Sequence, residues 1–520
     1  LRRNSAWFVL TKKLNSSSRN CQKKSIAVRG GNLKLISSLI LPLQPRSSMK
    51  IATSTKPFLS AEQIAAWKPM SSRNNAGDPA ETLRQALIDH DLWTGSQVAG
   101  RTFAMGCVSL EVTQRCNLDC SLCYLSDRAE AVHDLPLPEV FRRIDGIADQ
   151  FGPGTNVQIS GGDPTLRTSA DLTAIVARVA ERKMRPSLFT NGIKATHALL
   201  NKLAAAGLKD VAFHVDLTQA RKGYGSESEL NRLRLDYIER ARGLGLRVLF
   251  NTTVFDGNVE EMPELVRFFV DHADDIQLAS FQLQADTGRG VHRAGGDAVS
   301  QERMMRDIND ATGLDLDFEM PRIGHPSCNK YTGILASKGK AVPLFDDHDL
   351  FAGLFDAGAE KQSLWHRNRA LALVAMAIGH PVLAAKALAW LVRKAWALRR
   401  SLFFSGRVTK LSFFIHNFMD ATMLEEDRCA SCVFMVATRD GPLSMCVHNA
   451  KRDHYVLAPI NLNTNRLWDP LTGRERSADR AKEAWTTTPE SLPLKRLKGR
   501  WRAKHLAAKI ADLPAAADQE

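Results

Sequence analysis

Three cysteines within eight residues point to the chemistry. The segment Cys116-Asn-Leu-Asp-Cys120-Ser-Leu-Cys123-Tyr124 spaces three thiols so closely that they can take three irons of a [4Fe–4S] cube and leave the fourth iron without a protein ligand. An iron with an open position is a place where a small molecule can bind and react. A zinc knuckle or a fully ligated electron-transfer cluster are the other readings, but structural zinc takes four ligands and no further Cys or His follows closely. A second set, Cys328, Cys429, Cys432 and Cys446, equals the ligand number of a closed auxiliary [4Fe–4S] cluster. A Cys₄ zinc site and isolated buried thiols are its alternatives. Clustered cysteines of this kind read as metal ligands in a reducing compartment rather than as a disulfide framework. Cys21 and Cys107 are left over, the latter as an ordinary buried thiol opening a strand.

Further groups stand where strands should end. Ile159-Ser160-Gly161-Gly162-Asp163-Pro164-Thr165-Leu166 combines two glycines that let backbone approach a ligand with a carboxylate suited to a cationic amino group. An ordinary Gly-Asp-Pro turn is the plain alternative. Thr190-Asn191-Gly192, His214 and Asp216, Asn251 and Thr252, and Ser280 and Gln282 add polar side chains at later strand ends. For His214 and Asp216 the alternatives are an acid/base pair and a satisfied buried pair. Thr287-Gly288-Arg289-Gly290 offers a weak anion-binding loop.

Positioning these groups requires a repeating frame. Strands are predicted over 108–113, 156–160, 187–190, 211–216, 247–254 and 276–283. Helices with apolar spacing of three and four are predicted over 138–151, 172–180, 198–206, 230–244 and 262–271. Six consecutive βα units imply a parallel sheet with outer helices, curling into an α/β partial barrel of the TIM type. In such a barrel, functional groups gather at the C-terminal ends of the strands.

The cysteine loop after the first strand, followed one unit later by Gly161 to Pro164 and then by Thr190 to Gly192, resembles the radical S-adenosylmethionine (SAM) superfamily over roughly residues 107 to 290. The resemblance implies that Cys116, Cys120 and Cys123 ligate a [4Fe–4S] cluster whose open iron chelates SAM. It implies reductive cleavage of SAM to a 5′-deoxyadenosyl radical that abstracts a substrate hydrogen. It also makes Tyr124, Gly161, Gly162, Asp163, Pro164, Asn191 and Asn251 the candidate SAM contacts, with Asp163 standing where the family has Glu. The wording of Gly324 to Cys328, Phe414 to Asp420 and Cys429 to Asn449 is similar to the tetraether lipid synthase branch and its bacterial relatives, although the cysteine-rich module that precedes the core in archaeal members is absent. The substrate expected on this basis is a small molecule or lipid carbon without an acidic proton. The rivals are a peptide-modifying maturase with an auxiliary cluster and a non-catalytic iron–sulfur scaffold. A flavodoxin- or ferredoxin-type protein is the expected electron donor.

Composition bounds the rest. The 520 residues predict several domains. The net charge of +14 is concentrated in an opening segment, 1–48, that has no Asp or Glu. The remainder is nearly balanced, so nucleic-acid binding is not expected. Residues 1–48 are expected to lie outside the folded protein, against the alternatives of a transit peptide or a basic arm. The expected order is then a helical cap (49–106), the radical SAM core (107–323), an auxiliary iron–sulfur domain (324–465) and a basic tail (466–520). Residues 365–404 are almost all apolar or basic. They are expected to form either a pair of core-packed amphipathic helices or a Trp-bearing surface that touches a membrane. The protein is expected in the cytoplasm, with that surface peripheral to the inner face of the membrane.

Overall fold

The alternation of short β-branched runs with amphipathic helices builds one large sheet. In the computed structural model, which describes residues 58–70, 79–98, 104–289, 299–337, 339–361, 369–463 and 465–477, six strands follow one another as β1 (Cys107–Thr113), β2 (Asn156–Gly161), β3 (Arg185–Thr190), β4 (Asp210–His214), β5 (Arg247–Val254) and β6 (Ile276–Leu283). Each pairs in parallel with the next. Strand β4 ends two residues before the predicted limit, because Asp216 turns away to cap the Leu217–Gln219 turn.

The helices between the strands are fixed at their starts by hydroxyl caps. Thr168, Thr196 and Ser226 each accept a backbone N–H of the first turn, an arrangement typically worth about 1 kcal/mol. Helix Leu137–Phe151 sends Val140, Ile144, Ile147 and Phe151 into the core, at the spacing of one helix face. Opposite them, Val108, Leu110 and Val112 of β1 are fully buried. The intervening Ser109 and Glu111 point to the other side of β1, as strand alternation requires.

The downstream residues, expected as an auxiliary domain, add their strands to the same sheet. Strands β9 (Thr409–Asn417), β7 (Asn329–Ser337) and β8 (Lys340–Pro343) extend the sheet beyond β6, while β10 (Phe434–Thr438) and β11 (Gly441–Ser444) extend it beyond β1. The result is one eleven-stranded sheet, ordered β11-β10-β1-β2-β3-β4-β5-β6-β9-β7-β8. Backbone pairing explains the merger, since β10 adds to β1 and β9 to β6 in parallel, which occupies the hydrogen-bonding edges an open barrel would leave bare. Residues 460–477 contribute an antiparallel sheet of β12 (Ile460–Asn463), β13 (Arg466–Asp469) and β14 (Arg474–Ser477). The N-terminal cap is helical over Ala61–Ala66 and Pro79–Asp89. The expectations for residues 1–48 and for 478–520 lie outside the described residues.

Candidate active site

The cysteine loop is anchored by the glycines one strand away. Gly161 has φ +120°, and a Cβ on it would stand 2.0 Å from the Thr113 carbonyl oxygen; a Cβ on Gly162 would stand 2.0 Å from that of Arg115. Only glycine permits this approach. It lets the Gly162 and Asp163 N–H groups donate to Thr113 O (2.9 Å) and Arg115 O (2.8 Å), so the end of β2 holds the backbone that launches Cys116. The Tyr124 hydroxyl donates to the Gly161 carbonyl at 2.6 Å and ties the far end of the loop to the same point.

These contacts frame a cavity of about 210 Å³ at the C-terminal ends of the barrel strands. Cys116, Cys120, Cys123, Tyr124, Gly161, Gly162, Asn191 and Asn251 all line it, together with His214, Thr253 and Gln282. Leu118, Leu122, Phe189, Leu283, Phe418 and Met445 make much of the remaining wall apolar. On β5 the inward pair is Asn251 and Thr253, whereas Thr252 is buried and does not line the cavity. The Asn191 amide donates to Asn117 Oδ1 (2.6 Å) and lies 3.9 Å from the Cys116 sulfur.

Asp163 and Pro164 take a different place from the one expected. Neither lines the cavity. The Asp163 carboxylate is fully buried and accepts from the Thr165 N–H and hydroxyl, the Thr190 hydroxyl (2.9 Å) and the Asn191 N–H (2.9 Å). With its lone pairs used in this way it has none left for a ligand's amino group. Its place is that of a knot joining the ends of β2 and β3. Asp216 is similar, accepting from Thr218 N–H (3.0 Å), Thr253 N–H (2.8 Å) and His214 Nε2 (2.6 Å). Burial opposes its charge, but His214 and these donors outweigh burial and hold its pKa at about 2. His214 therefore reaches the cavity with its ring fixed by a carboxylate behind it.

Burial disfavours the thiolate forms of Cys116 and Cys120. Burial, with Cys123 and Asp163 nearby, pushes Cys116 up to about 11, against the lowering effects of the Leu118 N–H and of Arg289. Burial also raises Cys120. Arg289 is the exception in this apolar, thiol-rich region. The residue is 4 % exposed, its Nη1 pairs with Glu130 Oε1 at 3.4 Å, and its side chain is also drawn to the Cys123 sulfur. Burial disfavours its charge, yet the sulfurs of Cys123 and Cys116 more than compensate and keep its pKa above the ordinary range. Three partly buried thiols beside a buried guanidinium fit an anionic, sulfur-ligated group. Gly288 at φ +59° allows this placement, because a Cβ there would lie 2.3 Å from the Tyr124 carbonyl oxygen.

Sequence reasoning missed the most strongly polarised part of the wall. Arg452 Nη1 donates to Glu111 Oε1 and Oε2 at 2.6 and 2.7 Å, with both side chains buried. The guanidinium lies 4.6 Å from the Tyr124 ring centre. Burial opposes the Glu111 charge, but Arg452 and His448 reverse its effect and hold the carboxyl at about 2. The available signal was the polar alternation Ser109, Glu111, Thr113 in an otherwise apolar strand. Nothing in the sequence paired Glu111 with a residue 341 positions away.

The second cysteine set also gathers. Cys328, Cys432 and Cys446 line a small cavity that shares Phe418 and Met445 with the large one. Neighbouring thiols, after burial, are what raise Cys429 and push Cys446 up to about 12. Arg428 Nε donates to the Cys328 sulfur at 3.1 Å. Among the described residues, no three His, Cys, Asp or Glu side chains stand grouped around the position of a single metal ion.

Comparison with known proteins agrees with this frame. Residues 110–269 match the Radical SAM superfamily. Over 187 residues the chain is 26 % identical to 7,8-dihydro-6-hydroxymethylpterin dimethyltransferase of Methanocaldococcus jannaschii, covering 35 % of this chain and 37 % of that protein. It is 30 % identical over 165 residues to a PqqA peptide cyclase of a Methylobacterium species, covering 30 % and 41 %. A solved structure of Streptococcus suis SuiB bound to its precursor peptide SuiA aligns at TM-score 0.32 and 19 % identity, over 48 % of this chain and 55 % of that one. The chain thus spans about two fifths of the length of these curated relatives. Over residues 110–269 the chain is therefore similar to the radical SAM superfamily.

Proposed function

We propose that the chain is a radical SAM enzyme that abstracts hydrogen from an unactivated carbon of an apolar substrate, with a lipid as the favoured class. The observation that carries this reading is the convergence of Cys116, Cys120 and Cys123 with Gly161, Asn191 and Asn251 on one cavity. When bound, a reduced [4Fe–4S] cluster and SAM supply a 5′-deoxyadenosyl radical, and the protein's part is to bind, orient and exclude water. In this reading the three thiols hold the cluster. Arg289 places a positive charge beside them. The Gly161 carbonyl and the Asn191 and Asn251 amides hold the polar parts of SAM. The Leu122, Phe189, Leu283 and Phe418 side chains make part of the cavity wall apolar, which suits an apolar substrate portion and keeps water from the reactive species. A flavodoxin- or ferredoxin-type protein supplies the electron.

Cys328, Cys429, Cys432 and Cys446 are assigned to an auxiliary [4Fe–4S] cluster, with Arg428 as its neighbouring cation. Phe418 and Met445 alone line both cavities, so the two thiol sets are near enough for the second to anchor substrate or pass an electron. A peptide-modifying reading is favoured by one observation, the 30 % identity to a PqqA peptide cyclase within the core.

Anaerobic reconstitution with iron and sulfide, followed by dithionite and SAM, tests the proposal. Formation of 5′-deoxyadenosine and methionine is expected, and their absence overturns it. Lipid extracts of gene-deleted and parent cells then separate the substrate classes. A lipid species lost on deletion supports the lipid reading, and an unmodified peptide accumulating in its place supports the other.

A further inference from the structure

Water-facing helices turn their apolar groups inward, whereas the helix Pro381–Ser405 leaves large apolar side chains exposed. Its protein-facing side buries Lys394, whose Nζ meets Asp346 Oδ2 at 2.7 Å, and Trp390, whose indole N–H donates to Asp346 Oδ1 at 2.9 Å. Its other side carries Val382, Leu391, Trp396, Phe403 and Phe404, with Trp396 68 %, Phe403 85 % and Phe404 72 % exposed. The preceding helix, Arg369–Gly379, adds Ile378 at 76 %. Of the eighteen exposed large apolar side chains among the described residues, eleven fall between Leu371 and Phe404. A contiguous concentration of this kind marks a surface that is covered in use.

The charges say what covers it. Between Ala370 and Phe404 there are five Lys and Arg and no Asp or Glu. Lys386, Arg393, Arg399 and Arg400 are exposed, and the Arg399 guanidinium lies 4.2 Å from the Trp396 ring centre. Apolar side chains, a tryptophan and arginines on one stripe match the interface of an anionic bilayer, where rings enter the acyl boundary and cations meet phosphates. A second copy of this chain presenting the same cationic stripe would be repelled. No single helix among the described residues is long and apolar enough to cross a membrane. The two helices meet that test only together and are bent by 117°, which suits a pair lying on a bilayer more than one straight span. At 25 residues the second helix offers about 37 Å of contact.

We infer that the outward face of residues 370–404 is a docking surface for an anionic phospholipid membrane. This goes beyond the catalytic proposal and stands apart from it, since binding to vesicles needs neither cluster nor SAM turnover.

Flotation of the full chain with vesicles of phosphatidylcholine alone, and of phosphatidylcholine mixed with phosphatidylglycerol, tests it. Binding to the mixed vesicles is expected, weakening as salt rises. Replacing both Phe403→Ser and Phe404→Ser should weaken it roughly tenfold to a hundredfold, with the melting curve unchanged because both rings are exposed. The pair Arg399→Gln and Arg400→Gln should remove the preference for the anionic lipid. Failure to float with either vesicle overturns the inference. So does a dimer in sedimentation that the two Phe substitutions dissociate, since a second copy would then be the cover.

Discussion

Removing the Arg452 guanidinium tests the reading of the cavity wall most sharply. In Arg452→Met the packing volume is nearly kept, but Glu111 is left buried without its guanidinium, with only the Gln114 amide (2.9 Å) and His448 beside it. The folded protein holds this carboxyl at about 2 against an ordinary 4.5, a difference equivalent to about 3 kcal/mol at 1.36 kcal/mol per pH unit. Because the folded pKa is depressed, that stabilisation is present in full above the unfolded value near 4.5 and is lost as pH falls toward 2. In the variant the sign reverses. Burial, the largest influence on Glu111, now outweighs Gln114 and His448 and raises the carboxyl above its unfolded value, so the penalty is full at neutral pH and fades as pH falls and Glu111 takes a proton. A cost of about 3 to 5 kcal/mol is expected at pH 7, a melting temperature lower by about 3 to 5 °C for a chain of this length. The gap to the parent should narrow toward pH 4, where the other carboxylates titrate alike in both proteins and cancel. Glu111→Gln combined with Arg452→Met should recover most of the loss, since no charge is then buried alone. Scanning calorimetry or dichroism of the apo-protein across pH 4 to 7 (roughly the window in which the reversed dependence develops) reads this directly. Equal melting of the parent and Arg452→Met at pH 7, or a gap that widens toward acid, would refute the reasoning.

Arg289→Gln should make the reduction potential of the bound cluster more negative by on the order of 100 mV, as expected for removing a charge a few ångströms away at an effective dielectric constant near 20. A potentiometric titration followed by electron paramagnetic resonance checks it, and an unchanged midpoint would count against the role given to Arg289. Asp163→Ala should lower the melting temperature of the apo-protein by leaving the Thr190 hydroxyl and the Asn191 N–H unpaired in the interior, at a cost of about 2 to 3 kcal/mol. A variant as stable as the parent would show that the knot does not bind β2 to β3. Replacing Cys328 and Cys429 together by Ala should remove about four irons per chain from the reconstituted protein. An unchanged iron count with a loss of zinc would reassign that site.

How much was legible in the sequence depended on how local each interaction is. The CxxxCxxC spacing, the paired glycines and the six βα periods are short-range patterns. Cys116 to Cys123, Gly161, Gly162, Asn191 and Asn251 could therefore be named without coordinates, and all were found on one cavity. Strand limits came within a few residues for the same reason, since period-two burial and hydroxyl caps are written in adjacent positions. What depends on side-chain direction was not legible. Asp163 sits beside the glycines in sequence, yet its carboxylate turns into the interior because Thr165, Thr190 and Asn191 offer it donors there.

The sequence by itself therefore determined the class of chemistry and the repeating frame, because a cluster-binding loop and an amphipathic repeat are specified by neighbours along the chain. Only the tertiary structure decided that residues 324–465 complete the same sheet, with β10 pairing to β1 and β9 to β6, since strand partners are chosen by edges that meet after folding. It also decided that Glu111 meets Arg452 and that the helix Pro381–Ser405 turns its apolar side outward. Those outcomes depend on which faces are left when every other surface has been buried, and that is a property of the whole packed chain.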